Sequence, residues 1–416
     1  MKVLWLCNIV LPDFSQEFGI KRSVVGGWMT GMLHELEKKD DIEICLCFPI
    51  YDSKRLKNGK CRGHKYYTFL CSSIESYDSN MLNFFEQILR ENRPDIVHIW
   101  GTEFPHTLAM ILACKNSGIL ERVVINIQGL VSICAKHYLS DIPEEYRDLK
   151  PAGSNSIRED RDLFEKRGEY EIKSLKMIKH VIGRTDWDKA CVKAINPEIQ
   201  YYFCSEILRN AFYKYEGKWK YEKCRKYSIF VSQASYPIKG FHYLLKALPI
   251  IIREFPDTHV YVAGFNLLDK KEKRPYSLFI ESLMEQLDLF RFVTFLNKLN
   301  EEEMIQQYLS ANVFVSASTI ENSSNSLNEA MIIGTPCVCS YVGGIGSIVV
   351  SGENGFLYPY DEPALLAYYI CRFFGNKDKL CDKCSTRAIQ KMKEWISPEI
   401  SAAKNMEIYK KLLDSN

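Results

Sequence analysis

The sequence predicts an α/β protein with two parallel, doubly wound sheets. Short β-branched runs alternate with longer amphipathic stretches through both halves of the chain, which is typical of βαβ units. Between the halves lies Lys214–Lys226, a polar and basic stretch without apolar periodicity that is typical of an interdomain connection. A length of 416 residues suits two or three folding units, so we expect one domain on each side of residue 210.

The first domain is predicted to span residues 1–209. A helix predicted at Ser401–Leu413, after Pro398, is expected to cross back, so that residues 395–416 also belong to this domain. Residues 140–165 are rich in charge and proline, which predicts a surface excursion. The predicted strands are Val3–Cys7, Ile42–Cys47, Asp95–Trp100, Val123–Ile127 and His180–Gly183, with helices that include Gly27–Glu37 and Met81–Glu91.

The second domain is predicted to span residues 210–394. Its strands are predicted at Ile229–Ser232, His259–Ala263, Phe292–Phe295, Val313–Ala317, Cys337–Ser340 and Gly355–Tyr358, separated by helices such as His242–Glu254, Glu301–Leu309 and Asn325–Ile333.

Charge and composition exclude several classes of protein. The 54 basic and 52 acidic side chains give a net charge of +2, whereas a nucleic-acid-binding protein usually carries a large basic surplus. No apolar run approaches the ~20 residues that span a bilayer, and the first residues are predicted to form a strand. The 15 cysteines are spread along the chain and are interpreted as reduced core residues, which predicts a cytoplasmic protein.

Two short motifs leave a metal site open. Cys381 and Cys384 have CxxC spacing, but no second pair follows at a distance that suits zinc. Asp186-Trp187-Asp188 is similar to an Asp-x-Asp metal motif, yet it starts a helical pattern, where Asp is favoured as a capping or first-turn residue. We favour the structural interpretation of both, and predict no metal.

The segment from Ser318 to Ser340 is the strongest candidate for chemistry. A strand leads into a polar loop with Glu321, and a helix begins at Ser324 or Asn325 with unpaired amides that attract phosphate. Glu329 follows eight positions after Glu321, roughly 12 Å away at helical rise. Both carboxylates can contact one elongated ligand, such as a nucleoside-diphosphate sugar. The alternative is that both carboxylates are simply solvated.

This segment resembles the Glu-x7-Glu motif of the family 4 retaining glycosyltransferases, which have the GT-B fold of two Rossmann-like domains facing a central cleft. Three further elements follow the family's order: Gly26-Gly27 after the first strand, YPIKGFHYLLKAL with Lys239, and CSYVGGIGSIVVSGENGFLY. The likeness extends over nearly the whole chain.

The resemblance implies roles for particular residues. Glu321 would contact the donor hexose, Lys239 would neutralise the departing phosphate and Glu329 would hold the ribose, without a divalent ion or cofactor. The amides of Ser326 and Leu327 would add to phosphate binding, and the loop with Asn297 and Leu299 would lie along the base. The donor-binding set is completed by Gly26, Gly27, Gln233, Asn322, Ser323, Ser324 and Asn325.

The chain departs from the family's pattern at three positions. Gln233 stands near the place of a usual Arg and cannot supply charge, so phosphate binding would depend more on Lys239. Gln128 replaces a His that reaches the sugar; it can still bind a hydroxyl but is not expected to transfer a proton. Gly346-Ser347 replaces a common Pro-Glu pair.

Acceptor contacts are predicted in the first domain. Glu103 and His106 follow the carboxyl end of a strand, where ligands gather in parallel sheets, and with Gln128 they are candidates to line the acceptor cleft. His137 is a weaker candidate for the same surface, and His98, inside a strand, is interpreted as a core residue.

Together these patterns predict a metal-independent hexosyltransferase. It would transfer from a nucleoside-diphosphate sugar, with UDP favoured, to a carbohydrate or lipid-linked acceptor in polysaccharide, lipopolysaccharide or glycolipid synthesis. Basic residues interleaved with aromatics at Lys54–Lys65 and Lys214–Lys226 allow peripheral contact with the anionic inner face of the plasma membrane, the alternative being solvated loops. A nucleotide-sugar epimerase of the same fold and a catalytically silent nucleotide-binding relative remain open.

Overall fold

The computed structural model describes residues 1–21, 26–151, 153–264, 266 and 274–414. The chain forms two compact units. Unit 1 comprises Met1–Ala135, Leu163–Arg209 and the chain from Ile396 onward, and unit 2 comprises Lys136–Asp162 and Asn210–Trp395.

Unit 1 is built on an eight-stranded sheet in the order β3-β4-β2-β1-β5-β6-β7-β8. All neighbours are parallel except β3 and β4, which are antiparallel. The strands are β1 (Lys2–Leu6), β2 (Glu43–Ile50), β3 (Gly59–Cys61), β4 (His64–Leu70), β5 (Ile96–Trp100), β6 (Val123–Asn126), β7 (His180–Gly183) and β8 (Gln200–Phe203).

Unit 2 is built on a six-stranded parallel sheet in the order β11-β10-β9-β12-β13-β14. The strands are β9 (Ser228–Val231), β10 (His259–Val262), β11 (Val293–Phe295), β12 (Val313–Ser316), β13 (Cys337–Ser340) and β14 (Phe356–Tyr358). The predicted pair of doubly wound α/β domains is therefore confirmed.

Helices connect the strands in both units. They are α1 (Gly27–Leu36), α2 (Asn80–Asn92), α3 (Pro105–Asn116), α4 (Val131–His137), α5 (Glu144–Arg147), α6 (Ile157–Met177), α7 (Asp186–Ile195), α8 (Asn210–Lys214), α9 (Phe241–Glu254), α10 (Pro275–Gln286), α11 (Glu301–Ser310), α12 (Asn325–Ile333), α13 (Pro363–Gly375), α14 (Leu380–Trp395) and α15 (Pro398–Asp414). In the described parts of the chain, each helix is too short or too polar to span a bilayer.

The last helix completes the core of unit 1, as predicted. Tyr409 on α15 is fully buried, and its hydroxyl accepts a hydrogen bond from Trp5 Nε1 at 3.1 Å. His98 Nδ1 lies 2.5 Å from the same hydroxyl, and its ring stacks on Trp100. His98 is thus the core residue that the sequence predicts. Burial lowers its pKa to about 3, so it packs as a neutral ring.

The edge of the unit 1 sheet differs from the prediction. The basic segment Lys54–Lys65, interpreted as a membrane-contacting or solvated loop, includes β3 and the first residues of β4. Arg62 and Gly63 connect the two strands with φ values of 51° and 87°, as a tight hairpin turn requires. Lys60, Arg62 and Lys65 therefore lie on a hairpin that is part of the sheet, whereas Lys54, Arg55 and Lys57 precede it.

Two further segments are placed differently. The surface excursion predicted at residues 140–165 lies mostly in residues 136–162, which group with unit 2 and not with the first domain. Tyr146 packs there on Phe279 with ring centroids 5.2 Å apart. Trp219, predicted in a solvated linker, is 2% exposed and donates from Nε1 to the Ala311 carbonyl at 2.7 Å. Burial of this indole removes it from any membrane-facing surface.

Candidate functional site

An ion pair between Lys239 and Glu321 lies at the centre of the candidate site in unit 2. Lys239 ends the short turn before α9, and Gly240 follows with φ +63°. A Cβ on Gly240 would lie 1.9 Å from the Ala317 carbonyl oxygen, so only glycine lets this turn pack against the end of β12. Burial alone would lower the pKa of Lys239, but the nearby Glu321 carboxylate and Tyr236 outweigh it and raise the pKa, so the amine stays cationic.

The loop that carries Glu321 is fixed at both its side chain and its backbone. Ser318 Oγ donates to Glu321 Oε1 at 2.9 Å, and the Gly344 amide donates to the Glu321 carbonyl at 2.9 Å. Gly343 has φ +50°, and a Cβ there would lie 1.9 Å from that carbonyl oxygen. The Gly343-Gly344 turn therefore holds the Glu321 backbone directly.

Helix α12 begins beside this loop. Ser324 is its N-cap, with Oγ accepting from the Leu327 amide at 3.4 Å. The Leu327 amide, predicted to face phosphate, is thus already partnered, which leaves the Ser326 amide as the better of the two donors. Asn322 and Ser323 are buried, and Ser324, Asn325 and Ser326 are half-buried. Ser323 Oγ and Asn325 Oδ1 are buried without a hydrogen-bond partner, which a polar ligand would supply.

Glu329 lies on the same helix and is 6% exposed. Tyr308 on α11 donates from its hydroxyl to Glu329 Oε2 at 3.1 Å. The alternative that Glu329 is a solvated helical carboxylate is therefore wrong, because a buried carboxylate with a tyrosine partner is held in one orientation.

The remaining predicted donor residues of unit 2 surround the carboxyl ends of β9 and β11. Gln233 Nε2 donates to Ser235 Oγ at 2.9 Å. Asn297 has φ +59°, and its carbonyl accepts from the Gly264 amide at 2.7 Å. Leu299 is half-buried in the same loop. These contacts order the loops. Gln233 stands near the place of the family's usual Arg, and its neutral amide adds no charge there.

In unit 1, Gly26 and Gly27 lie where α1 begins. Gly26 has φ +88°, and a Cβ there would lie 2.4 Å from Ile9 Cδ1. A Cβ on Gly27 would lie 2.3 Å from Arg209 Cγ. Packing within unit 1 is thus a sufficient reason for both glycines, in addition to the predicted approach of a phosphate.

The predicted acceptor residues separate into core and loop positions. His106 is 2% exposed and stacks on Phe104 with ring centroids 5.2 Å apart, so its prediction as a residue lining a cleft is wrong. Glu103 is half-buried; Asn8 Nδ2 donates to its Oε1 at 2.9 Å, and burial raises the pKa of Glu103. Gln128 is half-buried and donates from Nε2 to Asn126 Oδ1 at 3.0 Å.

His137 is also placed differently from its prediction. Its carbonyl accepts from Thr319 Oγ1 at 3.3 Å, so it belongs to unit 2 and lies near the Glu321 loop. Sequence periodicity gave no sign of this contact, because residues 137 and 319 are far apart in the chain.

The two motifs with metal-like spacing have structural roles. Asp188 forms a capping box with Thr185 at the start of α7, as the capping interpretation predicts. Cys381 and Cys384 are buried, and Cys381 Sγ donates to the Phe373 carbonyl at 3.2 Å. Within the described ranges, no three His, Cys, Asp or Glu side chains come together as a metal site.

Several residues that support the site carry little signal in the sequence. Tyr308 contacts Glu329 only through the fold, because the two residues lie on different helices. Arg184 and Glu206 form a buried ion pair with 2.5 Å between Nη1 and Oε2. Arg184 Nη2 also donates to the Gln128 carbonyl at 2.9 Å, so this pair fixes the backbone of Gln128.

Comparisons with known proteins agree with this architecture. Residues 214–391 match the family model described as glycosyl transferases group 1. A D-inositol 3-phosphate glycosyltransferase of Corynebacterium urealyticum is 30% identical over 148 residues, which cover 34% of this chain and 33% of that protein. The chain thus aligns with about one third of the length of this curated relative.

Solved structures extend the likeness to the whole chain. Sucrose-phosphate synthase from Thermosynechococcus elongatus has a TM-score of 0.72 at 16% identity, with 100% of both chains covered. The Anabaena protein Alr3699/HepE, solved in complex with UDP-glucose, has a TM-score of 0.65 at 14% identity, with 98% of this chain and 100% of that chain covered. The chain therefore has the GT-B glycosyltransferase fold, and its residues 214–391 match the glycosyl transferases group 1 family.

Proposed function

We propose that the chain is a retaining glycosyltransferase that moves a hexose from a nucleoside-diphosphate sugar to a sugar hydroxyl. The observation that carries this proposal is the Lys239–Glu321 ion pair beside the start of α12, with Glu329 buried further along the same helix. The arrangement offers a cation, a helix N-terminus and two carboxylates to one elongated ligand.

Each group suits one part of such a donor. Cleavage of the bond to the sugar leaves charge on the diphosphate, which Lys239 and the amides at the start of α12 would stabilise. Glu321 would accept hydrogen bonds from hexose hydroxyls, and Glu329 from ribose hydroxyls. With Lys239 supplying the positive charge, we expect transfer to continue in the presence of a chelator.

UDP is the favoured nucleotide. The UDP-glucose complex of the Anabaena protein, which shares the fold, supports this choice. The acceptor is proposed to be a carbohydrate or lipid-linked sugar bound by unit 1, with Gln128 and Glu103 contributing polar contacts and His106 supporting them from the core.

Titration calorimetry with UDP, GDP and ADP in EDTA tests this function. We expect one nucleotide to bind clearly better than the others, and Lys239→Met to weaken it by about tenfold or more, as loss of a charge-assisted contact implies. Lys383→Met, which changes an exposed lysine of unit 2, is the matched control. Absence of binding by all three nucleotides would favour the silent relative.

The reaction itself is read from its products. With a donor sugar and a panel of acceptors, nuclear magnetic resonance should show a product whose anomeric configuration equals that of the donor. Conversion of the donor in the absence of any acceptor, without hydrolysis, would favour the epimerase instead.

Peripheral membrane contact is proposed for the basic segment Lys54–Lys65 of unit 1 alone. Lys54, Lys57, Lys60 and Lys65 are exposed there, together with Leu56. Each cation near an anionic leaflet contributes about 1 kcal/mol. Vesicles of phosphatidylglycerol should sediment the protein at low salt, and the Lys54→Glu, Lys60→Glu double variant should remain in solution; equal sedimentation of both would contradict the proposal.

A further inference from the structure

Residues 136–162, which we call the strap, group with unit 2, although the residues that flank them in the chain belong to unit 1. Asp141 of the strap forms an ion pair with Lys246 on α9. Tyr146 on α5 packs on Phe279 of α10. The strap is therefore attached to two helices of the unit that carries the candidate donor site.

The first residues of the strap approach both members of the Lys239–Glu321 pair. On one side, Tyr138 is 4% exposed. Burial, with smaller contributions from Asp160 and Tyr236, raises its pKa, and the ring centroid of Tyr236 lies 5.6 Å from Lys239 Nζ. On the other side, the His137 carbonyl accepts from Thr319, two residues before Glu321.

Thr319 joins the three segments. It is fully buried, and its amide donates to the carbonyl of Ile238 at 2.8 Å. Ile238 directly precedes Lys239 in the chain. The Thr319 hydroxyl lies 3.4 Å from the same carbonyl and 3.3 Å from the His137 carbonyl. Because a hydroxyl has a single proton, the two carbonyls share it, and Thr319 ties the lysine turn, the Glu321 loop and the strap together.

We propose that Thr319 and the strap are a positioning device that fixes the separation between Glu321 and Lys239. The inference rests on the proposed function, in which one group meets the hexose and the other the departing phosphate. A small error in that separation slows transfer more than it weakens nucleotide binding, since catalysis requires both contacts at once.

Two substitutions at one position test this role. Thr319→Val keeps the shape of the side chain but removes the hydroxyl. We expect kcat to fall about fivefold or more, which corresponds to the loss of one hydrogen bond. The Kd for the nucleotide should change by less than about twofold. Thr319→Ser keeps the hydroxyl and should restore kcat. Thr258→Val, a buried threonine of unit 2 whose hydroxyl donates to the Phe255 carbonyl, is the matched control. An unchanged kcat in Thr319→Val, or an equal loss in Thr319→Ser, would overturn the proposal.

Hydrogen exchange supplies a readout that does not depend on activity. Amides of residues 136–141 and 317–323 should exchange faster together in Thr319→Val and at wild-type rates in Thr319→Ser and Thr258→Val. If wild type binds no nucleotide, the proposed function fails, but coupled exchange would still show that Thr319 links the strap to the Glu321 loop. If exchange in the two segments is uncoupled, the strap proposal fails even if the protein is a transferase.

Discussion

Glu321 places its carboxylate on Lys239, the cation that the proposed function assigns to the donor phosphate. A diphosphate and Glu321 would therefore compete for the same ammonium group. In a bound donor the phosphate would take the charge of Lys239, and Glu321 would turn to the hexose.

Glu321→Gln should bind UDP more tightly than wild type, because a neutral amide competes less well for Lys239. We expect an increase of about three- to tenfold by calorimetry, the scale of one charge-assisted hydrogen bond, together with slower transfer. Glu353→Gln, which changes an exposed carboxylate of unit 2, should leave both quantities unchanged. Weaker binding of UDP by Glu321→Gln would show that the two groups do not compete.

Glu329→Ala should weaken nucleotide binding by about tenfold to a hundredfold, since a hydrogen bond to a charged group is lost. Affinities for UDP and for its 2′,3′-dideoxy analogue distinguish the contact involved. Wild type should prefer UDP, and Glu329→Ala should bind the two equally. A preference that survives the substitution would place the ribose elsewhere.

Gly343→Ala should abolish most transfer, because its Cβ would collide with the Glu321 carbonyl oxygen. Gly352→Ala is a matched control: Gly352 also has positive φ, at +84°, but a Cβ there meets nothing within 4 Å. The control should lose only about 1 kcal/mol of stability from backbone strain. Kinetics and thermal unfolding of the two variants separate the collision from the strain.

The stability of unit 1 should fall as the pH drops below about 6.5. Burial lowers the pKa of His106 to about 3, whereas an unfolded histidine titrates near 6.5. Below pH 6.5 the unfolded chain therefore binds a proton that the folded chain does not. The stability associated with the neutral, buried His106 is complete above pH 6.5 and is lost as the pH falls toward 3.

Denaturant unfolding at pH 7.0 and 5.5, followed by tryptophan fluorescence, measures this loss. Each buried histidine should contribute up to about 1.4 kcal/mol per pH unit in this range. His106→Leu should reduce the pH dependence of the free energy of unfolding by the contribution of one buried histidine. An identical pH dependence in the variant would mean that His106 is accessible to protons in the folded state.

The parts of the fold that the sequence predicts correctly are those encoded by local pattern. Strand β1 is readable as a short continuous apolar run, and helix α12 from its helical apolar pattern. Asp188 is readable as a capping residue from its place in the first turn of a helical pattern. Glu321 and Glu329 are predicted as a pair because both lie on one short segment, and their roles remain a prediction.

The parts that differ depend on contacts between distant residues. Trp219 is held by a hydrogen bond to the Ala311 carbonyl, and the strap is held by contacts with α9 and α10. Neither set of contacts leaves a periodic signal in the surrounding charged sequence. His106 follows a strand end, as ligand-binding residues do, but whether it faces the solvent or the core depends on the packing of Phe69 and Phe104. The β3–β4 hairpin is obscured because its edge strand is short and has Lys60 at its centre, features with which sheets protect an edge from pairing.

The bond between Trp5 and Tyr409 sets an order for biosynthesis. The first strand leaves the ribosome early, but the hydroxyl that satisfies its indole is translated only after the whole of unit 2. At about 5–20 residues per second, the nascent first unit waits roughly 10 to 40 s with this part of its core unfinished. Most of that delay is the translation of unit 2, so the last helix is the closing step in the folding of unit 1.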